Sequence, residues 1–175
     1  MMFKALVAAG PVALLAACAS PPPPDVPASL QPQPGAVALQ TLSARGLQIY
    51  ACRARPGDAG AAEWAFVAPQ ADLFDSQGRA AGTHFAGPQW QGTDGSRVAG
   101  SVRARADAPN PASIPWLLLE THPTGPAGAF SGVTHIQRIR TAGGTAPPAA
   151  ECSSASLGRE VRVGYSADYV LFGSR

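Results

Sequence analysis

The sequence predicts an all-β fold: a single antiparallel β-sandwich or barrel-like domain with few or no helices. Three observations carry that prediction. Short runs of β-branched, aromatic and small apolar residues recur along the chain, each bounded by Gly, Pro, Asp or Ser. The clearest run, Ser96 to Ala106 (SRVAGSVRARA), alternates. Val98, Gly100, Val102 and Ala104 fall on one face and Arg97, Ser101, Arg103 and Arg105 on the other, as in a sheet with one wet side. No long segment carries a helical period with caps. Strands at short spacing, joined by Gly- and Pro-rich turns, point to a sandwich or barrel.

The N-terminus stands apart from that domain. Residues 1–17 read as a signal peptide: one positive charge at Lys4, then an apolar stretch from Ala5 to Ala17. The stretch is too short to cross a bilayer as a mature helix, and Gly10 and Pro11 interrupt it. Leu15-Ala16-Ala17-Cys18 resembles the lipobox of bacterial lipoproteins, which are cleaved before the cysteine and acylated on it. The alternative is an ordinary signal peptide with a cysteine nearby. Acylated Cys18, bearing palmitate-type chains, is the expected membrane partner, since two or more chains anchor stably where one does not. Ala19 rather than aspartate follows it. By resemblance to Gram-negative sorting, this favours the outer membrane, facing the periplasm. Residues 18–36 form the acylated cysteine and a Pro-rich linker (ASPPPPDVPASLQPQPG), extended and semi-rigid. Residues 37–175 form the β-domain.

Within the domain the expected strands follow in order. Gly46 to Cys52 (GLQIYAC) is one, and Glu63 to Pro69 (EWAFVAP) another. Ala71 to Asp75 leads through a turn into a returning strand that ends near His84. After Ser96 to Ala106 comes Ser113 to His122 (SIPWLLLETH), a continuous apolar run expected to be buried on both sides. In Val133 to Thr141 (VTHIQRIRT) each alternating face mixes apolar and polar groups, so a bulge or a pocket-lining strand is expected. In the last run Tyr165, Ala167 and Tyr169 share a face and Asp168 lies on the other; an Arg138–Asp168 pair is conceivable. Large apolar residues are few, so the core is expected to lean on Trp64, Trp90, Trp116, Tyr165 and Tyr169. Cys52 and Cys152 remain once Cys18 carries lipid, and an even pair in an exported chain reads as a disulfide. Closing a loop of that length is worth about 4.7 kcal/mol by the chain-entropy estimate.

Charge narrows the function. The formal net charge is +2, and no basic block offers a nucleic-acid footprint. No cofactor motif is present. The stretch His84 to Ser96 (HFAGPQWQGTDGS) collects the chemistry-bearing residue types. His84, Asp94 and Ser96 supply the three types of a hydrolase triad. They lack the G-x-S-x-G elbow, however, and "TDGS" is also what a hairpin turn with a left-handed glycine requires. His84, His122 and His135 show no metal-ligand spacing, and a strand histidine is more often hydrogen-bonded at the core edge. Trp90, flanked by Gln89 and Gln91, offers an aromatic face for a glycan or small ligand, or simply packs.

Together these stretches resemble the bacterial and fungal family catalogued as domain of unknown function 3455. The matching pieces are Gly46 to Cys52, Trp64, His84 to Gly100, Ile114 to Leu119, Val133 to Pro147, Cys152 and Tyr165 to Phe172. The resemblance covers the mature domain but carries no established activity. Fungal members sometimes bear malate-dehydrogenase names, yet this chain has neither G-x-G-x-x-G nor βαβ alternation. The expected function is therefore a lipid-anchored envelope protein. It is a binding or structural domain presenting His84, Trp90, Asp94 and Gln137 to a small molecule, glycan or envelope partner. The alternative is a hydrolase- or lyase-type enzyme using His84 and Asp94 as an acid/base pair, which requires the two within reach of each other beside a water-accessible concavity.

Overall fold

The computed structural model describes residues 25–174. The expected signal peptide and the Cys18 anchor lie outside the described residues. Eight strands follow in order: β1 (Ala36–Arg55), β2 (Asp58–Phe74), β3 (Ala80–Phe85), β4 (Gln89–Gly92), β5 (Arg97–Ala106), β6 (Trp116–Pro123), β7 (Val133–Gly143) and β8 (Glu160–Ser174). Each pairs antiparallel with the next, and β8 pairs with β1, so the sheet closes into a barrel. Between the sandwich and the barrel, the chain adopts the barrel, which leaves no edge strand at either end of the sheet order.

Alternation sets the interior. On β8, Tyr165, Ala167, Tyr169 and Leu171 point inward and join Leu42 and Ala44 of β1, Leu73 of β2, Trp90 of β4, Val98 of β5 and Ile136 of β7. β6 is covered on both faces, as its apolar run predicts. Leu119 belongs to the interior, while Trp116 and Leu118 lie on the outer face with Ile139. What covers that outer face is part of the stretch read as linker. A 3-10 turn at Ala28–Leu30 lays fully buried Leu30 on this cluster, with Val26 beside it. Trp116 therefore packs outside the barrel, and Trp64 is only half-buried, so of the three tryptophans Trp90 alone sits in the barrel core.

Register shifts occur on several strands, and those on β5 and β7 shape the site. A bulge inserts a residue, and everything beyond it changes face. On β5 the shift falls between Val102 and Ala104. Val98, Gly100 and Val102 face inward as expected, but Ala104 and Ala106 turn outward onto the Leu30 cluster, and Arg105 turns in opposite Leu117. On β7 shifts fall between Val133 and His135 and between Ile139 and Ala142. Val133, Ile136 and Arg138 face inward, while Gln137 and Ile139 face outward. Asp168 pairs with Arg140 rather than Arg138, because inward-facing Arg138 lies opposite inward-facing Tyr169.

The two ends of the barrel differ. At one, the β6–β7 loop folds in and plugs the opening with fully buried Phe130. At the other, a Cys52–Cys152 disulfide ties β1 to the long β7–β8 connection. Beside it the wall is cut away. β3 and β4 form a short hairpin of 6 and 4 residues between strands of 17 and 10. β2 has no β3 partner on the Asp58 side of Ala71, and β5 has no β4 partner beyond Ala99. A notch therefore opens over the hairpin tip.

Candidate functional site: a cavity under the notch

The notch leads into a cavity of about 330 Å³. Phe66, Val67 and Val102 form its rim, Gly87 and Pro88 of the hairpin tip its sill, and His84, Trp90, Leu119, Arg138 and Tyr169 its inner walls. Bulge and strand length explain the rim. Val102 faces the interior side like Val98, but no β4 residue covers it, and it is left 55% exposed. Phe66 and Val67 face the same gap from β2 and are also exposed. Most of the large hydrophobic side chains exposed among the described residues thus gather at one opening, the pattern expected of a binding site rather than of scattered surface residues.

His84 and Trp90 are direct cross-strand partners on β3 and β4. Their rings stack at 4.3 Å and 13°, and Tyr169 meets both edge-on, at 5.1 Å from His84 and 5.6 Å from Trp90. Gly100 makes room for the indole: a Cβ there would lie 2.9 Å from Trp90 Cζ3. The Trp90 indole N–H is buried without a hydrogen-bond partner. His84 is 3% exposed, and its Nδ1 lies 2.8 Å from the carbonyl oxygen of Gln89. A carbonyl only accepts, so Nδ1–H donates and Nε2 carries the lone pair. Burial pushes the His84 pKa down to about 3, with the Arg138 charge adding to the effect and the Gln89 bond opposing it. At neutral pH the ring is an uncharged wall with one free acceptor.

Arg138 is half-buried at the inner end. Its Nε and Nη2 donate to the Pro115 carbonyl at 3.1 and 2.8 Å, which fixes the plane of the guanidinium. Sequence reading missed it as a site residue. The signal was there, in a strand whose two faces both looked mixed, but choosing Arg138 over Gln137 required knowing where the bulges fall.

Asp94 and Gln137 lie elsewhere. Asp94 opens the β4–β5 turn, in which Gly95 takes φ +85°. Its Oδ1 accepts from the Ser96 hydroxyl at 2.6 Å and the Ser96 N–H at 3.0 Å, and its Oδ2 accepts from the Ala129 N–H at 2.7 Å. The Ser96 hydroxyl oxygen accepts from the Phe130 N–H at 3.1 Å. These bonds, the Ser96 hydroxyl first, hold the Asp94 carboxyl below the usual carboxylate range. They also pin the loop that plugs the closed end. Asp94 and Ser96 therefore serve as a loop clamp, and His84 donates to a backbone carbonyl, so the acid/base pair is not assembled. Gln137 faces outward and donates to the Leu30 carbonyl at 2.7 Å, fastening the N-terminal segment. His84 and Trp90 share the cavity; Asp94 and Gln137 do not reach it.

A family model described as "Protein of unknown function (DUF3455)" matches residues 32–173. No curated protein and no solved structure matches the chain.

Proposed function

The chain belongs to the DUF3455 family, and from the site itself we propose that it is a small-molecule-binding barrel. We further propose that it is held by acylated Cys18 on the periplasmic face of a bacterial outer membrane. The observation that carries the binding reading is the cavity: apolar walls, few polar groups, and an apolar rim left open by the short β3–β4 hairpin. Ligand pockets are concave and mostly apolar, with a few placed polar groups, and 330 Å³ lies at the small end of their range. A small molecule suits the site better than a glycan platform. Trp90 is 1% exposed and stacked on His84, so it offers a wall rather than an open aromatic face. The tether rests on the Leu15–Cys18 pattern and on the disulfide, which suits an oxidising compartment.

Cinnamamide, a neutral molecule of one ring and a short tail, tests the binding reading by nitrogen-15 NMR. The three tryptophans give three indole signals, assignable by single Trp→Phe changes. The Trp90 signal is expected to shift on titration, while that of Trp116, on the outer face under Leu30, stays in place. Shifts at Trp116 without shifts at Trp90 contradict the proposal.

A further inference from the structure

We propose that the ligand of this cavity carries a carboxylate, bound by Arg138, with Arg105 adding positive charge from the same inner face outside the cavity lining. This rests on the reading of the cavity as a ligand site and adds the charge of its occupant.

The argument starts from strand register. Arg105 lies opposite Leu117, Leu117 opposite Arg138, and Arg138 opposite Tyr169. Directly opposed residues share a face, so this row of four runs along the inner surface of β5, β6, β7 and β8. Arg105 and Arg138 are two strands apart, about 10 Å at ordinary strand spacing. The β5 bulge turns Arg105 inward; without it the residue would sit on the wet face with Arg103. Neither arginine has a carboxylate partner among the described residues. Arg55, Arg79, Arg103 and Arg140 each do, and of the arginines without one Arg138 is the one that lines the cavity. No acidic side chain lines the cavity, so Arg138 is its single formal charge.

A half-buried guanidinium among apolar walls is poorly compensated, and its attraction for an anion is stronger there than in water. Two of its five donors are held by the Pro115 carbonyl, which orients the fork before any ligand arrives. The donors left over suit the two oxygens of a singly charged carboxylate. A phosphate would set a near-double negative charge against this single positive one, with one donor for each of its three oxygens. His84 Nε2, an acceptor, suits a ligand hydroxyl placed near the carboxylate. The cavity is about twice the 150 Å³ that admits benzene, which limits the apolar part to one ring with a short chain, or two fused rings. The chemical class is a small aromatic or branched aliphatic monocarboxylic acid.

Calorimetric titration of the full-length protein at neutral pH with cinnamate and cinnamamide isolates the charge, because the two differ little in shape. Cinnamate is expected to bind at least about tenfold tighter. Arg138→Gln is expected to abolish that preference. Because Arg138 also supports Pro115, Val102→Asp at the exposed rim is the companion variant: it places a negative charge at the mouth without touching the core. Because Val102 also lines the rim, both compounds are expected to lose affinity, and cinnamate several-fold more than cinnamamide. Equal affinity of the two compounds for the unmodified protein overturns the carboxylate inference while leaving the cavity a ligand site. Failure of both to bind removes the ligand site as well. A preference for cinnamate that survives in both variants overturns the role given to Arg138.

Discussion

Trp90→Ala is expected to cost about 3–5 kcal/mol of folding stability, the range for truncating a buried tryptophan. That is a large part of what a domain of this size commands. The indole is the hub of the barrel interior. It stacks on His84, meets Tyr169 edge-on, and fills the space that Gly100 leaves bare. Its removal would leave a void continuous with the existing cavity, and a closed barrel, tied at every strand, has little freedom to collapse around it. Trp90→Phe keeps part of the stacking and is expected to cost clearly less. Urea unfolding followed by circular dichroism measures both. A Trp90→Ala midpoint within a few tenths of a molar of the parent protein would contradict the central place given to this residue.

Acid is expected to weaken the fold through His84 before the carboxylates titrate. The His84 pKa is about 3 in the folded chain against 6.5 as its ordinary value. Above 6.5 the ring is neutral in both states and its contribution is complete. Below that, the unfolded chain takes up a proton that the folded chain does not. Stability then falls by about 1.4 kcal/mol per pH unit once His84 titrates fully in the unfolded state, and continues to fall towards the folded pKa. Asp75, Asp94 and Glu120 have lowered pKa values and weaken the fold only in the more acid range. The window from about pH 6.5 down to about pH 5 is therefore the one that reports the imidazole. His84→Phe keeps a ring against Trp90 and removes the titration, so its stability profile is expected to be flatter across that window. Parallel profiles for the parent and the variant would show that His84 is not held neutral by burial.

Much of the fold is legible in the sequence because its signals are local. The D-G turn at Asp94–Gly95, the two-sided run of β6 and the inward Tyr165, Ala167 and Tyr169 follow from turn chemistry and from a period of two. Bulges are where that reading stops. They are fixed by how neighbouring strands meet, and a single inserted residue moves Ala104 to the outer wall and Arg105 to the inner one. The site was legible to the same extent. His84 and Trp90 are close in sequence and become direct partners through a short hairpin. Arg138 and Tyr169 arrive from strands far along the chain, and the barrel's closure brings them in. Asp94 drew attention for its chemical type, yet its oxygens are spent on Ser96 and Ala129. Gln137 likewise proved to be a fastening for residues that the Pro-rich composition had assigned to a spacer.

The most direct test of the cavity as the binding site is a crystal structure of the full-length protein grown with saturating cinnamate. The predicted result is density for the ligand under the notch between β2 and β5. Its ring should lie against Trp90 and Val102, and its carboxylate within hydrogen-bond distance of Arg138. An empty cavity, or cinnamate bound only elsewhere on the barrel, would contradict the account.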